Sequence, residues 1–100
     1  MIVRNESVEL ITKVVTDAEV KEITTEVFAE KKGVTYREFY AAQQVGMNPR
    51  VIFSVDALDY RSAIISGQEP GELIYDKRKF VIVRVYENSN DVELTVSNFV

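Results

Sequence analysis

Phe80-Val81-Ile82-Val83-Arg84-Val85-Tyr86-Glu87, then Asn88-Ser89-Asn90-Asp91, then Val92-Glu93-Leu94-Thr95-Val96 is the stretch that decides the fold class. β-Branched and aromatic residues crowd both runs, and four turn formers part them, which together read as a hairpin. In the second run Val92, Leu94 and Val96 alternate with Glu93 and Thr95, the period of a strand with one buried face. In the first, Val81, Val83 and Val85 are expected on one face and Phe80, Ile82, Arg84 and Tyr86 on the other.

The same period extends outward from this hairpin. In Ser7 to Thr16, Val8, Leu10 and Val14 share one face, and Glu9, Ile11 and Lys13 the other. Lys21 to Lys31 repeats the pattern with Ile23, Thr25, Val27 and Ala29, and Asp17-Ala18-Glu19 supplies the turn between. Val51-Ile52-Phe53-Ser54-Val55, apolar on both faces and bounded by Pro49 and Asp56, reads as a buried strand. Tyr60 to Ser66 is expected to be another, closed by the turn formers from Ser66 to Gly71, after which Glu72 to Tyr75 leads into Phe80. The expectation is an all-β chain: a small antiparallel β-barrel or sandwich of roughly six or seven strands, forming a single domain over residues 1–100.

One segment departs from the strand pattern. Thr35 and Glu38 form a capping box, and Val34 and Phe39 occupy the positions of a hydrophobic staple. Gly46 can end a helix in the left-handed conformation, and Pro49 keeps it from resuming. A short helix of about three turns is therefore expected inserted at about residues 35–45. Tyr36, Phe39, Tyr40 and Gln43 share one of its faces, which reads as core, and the helix is expected to cap one open end of the barrel.

Composition narrows the chemistry. The 100 residues are 46% hydrophobic, enough for one core, and the net charge is −4. An acidic chain is a poor neutraliser of phosphates, and the one basic run, Lys77-Arg78-Lys79, reads as a solvated hairpin turn. There is no histidine and no cysteine, so the usual general base, the thiolate and the commonest transition-metal ligands are missing. The four glycines lie at turns or helix ends and build no phosphate loop. Asp56 and Asp59, the nearest carboxylate pair, have the chemistry of hard-cation ligands but need more oxygens than their surroundings offer, so a solvated turn is expected there. No catalytic, cofactor or metal site is expected. No apolar run is long enough to span a bilayer, and Met1 to Glu6 lacks the apolar centre of a signal peptide, so a cytosolic site of synthesis is expected. Five tyrosines and five phenylalanines suit a stacking surface for single strands, and an oligonucleotide- or ligand-binding barrel is the alternative from another class.

The segments Glu26-Val27-Phe28-Ala29-Glu30, Tyr36 to Gln43, Gly46-Met47-Asn48-Pro49, Val51-Ile52-Phe53, Asp59-Tyr60 and Tyr75 to Ile82 together resemble the head-tail joining, or head-closure (stopper), family of long-tailed bacteriophages. The resemblance spans roughly residues 25–96; where relatives tend to have a glycine in the hairpin before Phe80, this chain has Asp76-Lys77-Arg78-Lys79. It implies a β-barrel with a helical or loop insertion and no enzymatic activity. It also implies a virion structural role: a ring of six or twelve copies below the portal and adaptor, made in the host cytoplasm, which closes the head and receives the tail-completion protein. Packaged DNA would pass through without sequence-specific binding. Another connector component, such as the adaptor or the tail-completion ring, is the neighbouring alternative. The candidate partner-binding residues are Arg37, Ala41 and Gln44 on the helix, Gly46, Met47 and Asn48 in the turn after it, Asp59 in the loop 56–61, and Gln68 and Glu69 in the loop before Gly71.

Overall fold

The computed structural model describes residues 4–32 and 49–98. These residues form strands β1 (Glu6–Thr16), β2 (Glu19–Lys32), β3 (Pro49–Asp56), β4 (Glu72–Tyr75), β5 (Arg78–Asn88) and β6 (Asp91–Asn98), with helix α1 (Ala57–Ser62) between β3 and β4. The strands close in the order β1-β2-β3-β6-β5-β4, every pair antiparallel, with β4 returning to β1. The expected all-β chain is thus a six-stranded barrel. The expected helix at 35–45 lies outside the described residues, as do candidate residues Arg37, Ala41, Gln44, Gly46, Met47 and Asn48.

Alternation fills the interior. Val8 and Leu10, Val27 and Ala29, Val51, Phe53 and Val55, Leu73, Phe80, and Val92, Leu94 and Val96 form one buried cluster. Phe53 stacks at a tilt on Tyr75, ring centroids 5.0 Å apart. A barrel this narrow is filled by side chains and leaves no channel of its own.

Two hairpins turn on left-handed pairs of residues. Asp17 and Ala18 join β1 to β2 at φ 45° and 69°, and Asp76 and Lys77 join β4 to β5 at φ 51° and 63°. Two positive φ values in a two-residue loop make a turn whose twist matches that of its strands. The turn between β1 and β2 is one residue shorter than expected, because Glu19 already pairs with Thr16.

Two expectations are corrected. Tyr60 to Ser66 is not a strand: Ala57–Ser62 is helical, with the Asp56 carboxylate capping it by accepting from the Leu58 amide at 2.8 Å. Tyr60 and Ala63, three apart, turn inward and plug the barrel where α1 packs on β3, β2 and β6. In β5 a bulge between Ile82 and Arg84 shifts the register, so the alternation reverses beyond it. The four residues expected on one face are therefore split: Phe80 and Ile82 pack inward, while Arg84 and Tyr86, opposite Thr95 and Glu93, belong to the outer face.

β1 and β2 outrun the barrel. They pair along their whole length, from Glu6 opposite Ala29 to Thr16 opposite Glu19. β2 meets β3 only from Ala29 to Lys32, however, and β1 meets β4 only from Glu9 to Ile11. The rest of the hairpin is a two-stranded ribbon, and among the described residues its β2 edge from Glu19 to Phe28 has no strand beside it.

Candidate functional site

The described candidate residues Asp59, Gln68 and Glu69 gather around α1 and the strap that follows it. Asp59 stands in the first turn of α1, where a carboxylate favours the helix dipole, and Arg61 occupies the last. Ser62 Oγ donates to the Asp59 carbonyl at 2.6 Å. The solvated loop expected at Asp56 to Arg61 is therefore a capped helix, and the Asp56 carboxylate is engaged as its cap. Among the described residues no three carboxylates are grouped as a cation would need.

The strap is pinned at several points. Ile65 and Gln68 exchange both main-chain hydrogen bonds, at 3.0 and 2.9 Å, around Ser66 and Gly67. These two have φ of 51° and 78°, the second being a conformation that glycine adopts without strain. The Gly71 amide donates to the Ile11 carbonyl at 3.1 Å, and its carbonyl accepts from the Ile82 amide at 2.9 Å. Glu69 Oε1 accepts from the Tyr60 hydroxyl at 2.8 Å, joining strap to helix. Thr12 Oγ1 donates to the Ala63 carbonyl at 2.5 Å and ties the ribbon to the same region.

Beneath the strap, on the outer wall of β1, β4 and β5, runs a groove of about 370 Å³ lined by Ile11, Lys13, Gln68, Glu69, Gly71, Glu72 and Val81. This explains why Ile11, on the outward register of β1, is nevertheless buried. Lys13 Nζ stands 3.1 Å from Glu72 Oε1 and 4.0 Å from Glu22 Oε1. Glu72 Oε1 is buried without a hydrogen-bond partner among the described residues, so charge rather than directional bonding holds that pair. The walls are aliphatic, and the polar groups are two carboxylates and an amide around one lysine.

Reading the sequence missed Lys13, Glu72 and the exposed face of the ribbon. Ile11 carried the signal, since an isoleucine between Glu9 and Lys13 on an outward register implies a cover. The outer surface also leaves Leu58 70% and Phe28 57% exposed, beside Asp59 and Glu26 respectively. A second groove of about 180 Å³ lies between Ile52, Arg84, Tyr86, Glu93 and Thr95, and Lys32 Nζ donates to Glu93 Oε1 at 3.2 Å. Arg4 is paired with Asp91 where β6 begins. No protein-family model matches this chain, and no curated protein matches it.

Proposed function

We propose that the chain is a structural subunit of the head-tail connector of a long-tailed bacteriophage, a head-closure protein that works as a ring between the portal and adaptor above and the tail-completion protein below. The reading rests on the resemblance together with one structural observation: the described segments that carry it meet in one body. Val27, Ala29, Val51, Phe53, Tyr60 and Phe80 share one buried cluster, and the Phe53 ring stacks on Tyr75 at the head of the Tyr75–Ile82 segment. A resemblance confined to turn and packing signals carries more weight when those signals share one core.

Deleting the gene from its parent phage should leave tailless heads, many emptied of DNA, beside free complete tails, and purified chain added to those heads should restore tail joining in negative-stain images. Normal virions from the deletion would overturn the reading.

A binding barrel is the second reading. It is favoured by the exposure of Phe28 and Tyr86, aromatic rings on outer sheet faces of the kind that stack on bases. Glu26 stands two residues from Phe28 on the same face, and Glu93 is paired opposite Tyr86, which sets carboxylates where a phosphate backbone would run. Salt-dependent capture of single-stranded DNA would favour this reading over the connector.

A further inference from the structure

We propose that the edge of β2 from Glu19 to Phe28, which has no strand beside it among the described residues, receives the basic β4–β5 hairpin tip of a second copy of this chain. This proposal takes its biological setting from the ring-forming reading, while its chemistry rests on the edge itself.

The edge offers main-chain groups in a defined pattern. A two-residue turn makes its flanking residues, Thr16 and Glu19, a hydrogen-bonded pair, and bonding then alternates along the antiparallel ladder. Val20, Glu22, Thr24, Glu26 and Phe28 therefore turn their N–H and C=O groups away from β1, and β3 does not begin to pair until Ala29. The side chains of these same residues lie on the outer face, opposite the register of buried Val27 and Ala29.

Carboxylates outnumber ammonium groups along the described part of that face: Glu9, Glu22 and Glu26 stand around Lys13. Glu26 is directly opposite Glu9, a like-charge pair of the kind that destabilises a ladder. The nearest lysine on the face, Lys13, is already shared between Glu22 and Glu72. Glu9 and Glu26 have no ion-pair partner among the described residues. Val20 and Phe28, 63% and 57% exposed, flank the acidic stretch and supply apolar surface for the stems of lysine or arginine.

The complementary group is on the same molecule but out of reach. Lys77, Arg78 and Lys79 are exposed, have no ion-pair partner among the described residues, and project from the left-handed turn at Asp76 and Lys77. Lys79 pairs with Ile74, Ile74 with Glu9 and Glu9 with Glu26, so Lys79 and Glu26 share one lateral row. Three strand spacings, about 14 Å, separate them, with β4 and β1 between. A tip and an edge that cannot meet within one copy can meet between two. Such a contact is head-to-tail, the kind that closes into rings or runs on as filaments. Two acidic edges would repel, which steers the edge away from self-pairing and toward the tip.

The test is sedimentation velocity on the full chain, with circular dichroism to show that each variant is folded. Wild-type chain should associate as its concentration rises and weaken as salt goes from about 50 to about 500 mM. Glu22→Lys with Glu26→Lys, and separately Lys77→Glu, Arg78→Glu and Lys79→Glu, should each weaken association at least tenfold. Mixing the two charge-reversed chains should restore assembly at equal stoichiometry, because each then meets opposite charge. A monomeric wild type, or association unchanged in either variant, overturns the proposal. Adding the same proteins to heads from the gene deletion separates this result from the connector reading. If both charge-reversed chains rescue tail joining, the edge contact fails and the connector stands. If wild-type chain associates as described yet rescues nothing, the connector fails and the edge contact stands.

Discussion

Tyr60 joins two functions in one side chain: its ring is buried at the end of the barrel, and its hydroxyl donates to Glu69 at the surface. Burial first, and then the hydrogen bond to the Glu69 carboxylate, push the phenol above the ordinary tyrosine range. Its folded pKa lies above the unfolded value of about 10, so the stability drawn from the neutral phenol is complete below about pH 10 and is lost as pH rises toward the folded value. Tyr60→Phe should cost about 1 kcal/mol or less at neutral pH, because Glu69 is left exposed to water. It should also flatten the decline in stability above about pH 10. Urea titrations at several alkaline pH values check this, and an unchanged decline in Tyr60→Phe would assign the effect to another group.

At the scale of elements, the β1–β2 turn is one place where local sequence and local geometry conflict. Ala18 holds φ at 69°, a conformation in which its Cβ crowds the following carbonyl at a cost of about 1 kcal/mol. Ala18→Gly removes that cost and should raise stability by about 0.5–1 kcal/mol, visible as a rise in Tm of a few degrees. A lower Tm would mean that the turn is not left-handed there. The misreading of Tyr60 to Ser66 has an equally local cause. Tyr60, Ile64 and Ile65 favour strands, while a helix of six residues is too short to show a 3.6-residue period. The signs that did mark it were the Asp56 cap and the placement of Asp59 early and Arg61 late, which are charge and capping signals rather than hydrophobic ones. The strands of the β5–β6 hairpin, by contrast, were legible because Val92, Leu94 and Val96 lie inward without interruption.

For the molecule as a whole, closure divides the chain into a wall and a ribbon. Phe53 and Leu94 lie in strands bonded on both sides and packed in the core, whereas β2 from Val20 to Phe28 is bonded, among the described residues, on its β1 side only. Hydrogen exchange should therefore be near unprotected for the amides of Val20, Glu22, Thr24 and Glu26 in dilute, high-salt solution, and slowest for Phe53 and Leu94. Protection of those ribbon amides under conditions where the chain is monomeric would show that the edge is covered within a single copy. The candidate surface was only partly legible in the sequence. Gln68 and Glu69 could be singled out as turn residues, but their partners Ile11, Lys13 and Glu72 come from strands that only closure brings beneath the strap.

What the sequence determined by itself was much of what neighbours in the chain govern: the two-residue period of the long strands, the approximate turn positions, and an inward face rich in valine and leucine. These follow from backbone sterics and from the transfer of apolar side chains out of water, and both act over a few residues. Tertiary structure alone decided that β4 returns to β1, that a bulge turns Arg84 and Tyr86 outward, and that β2 has an edge without a partner strand among the described residues. Those outcomes depend on how strands with compatible faces are staggered to close a barrel, and the energy that selects a stagger comes from contacts between residues far apart in the chain.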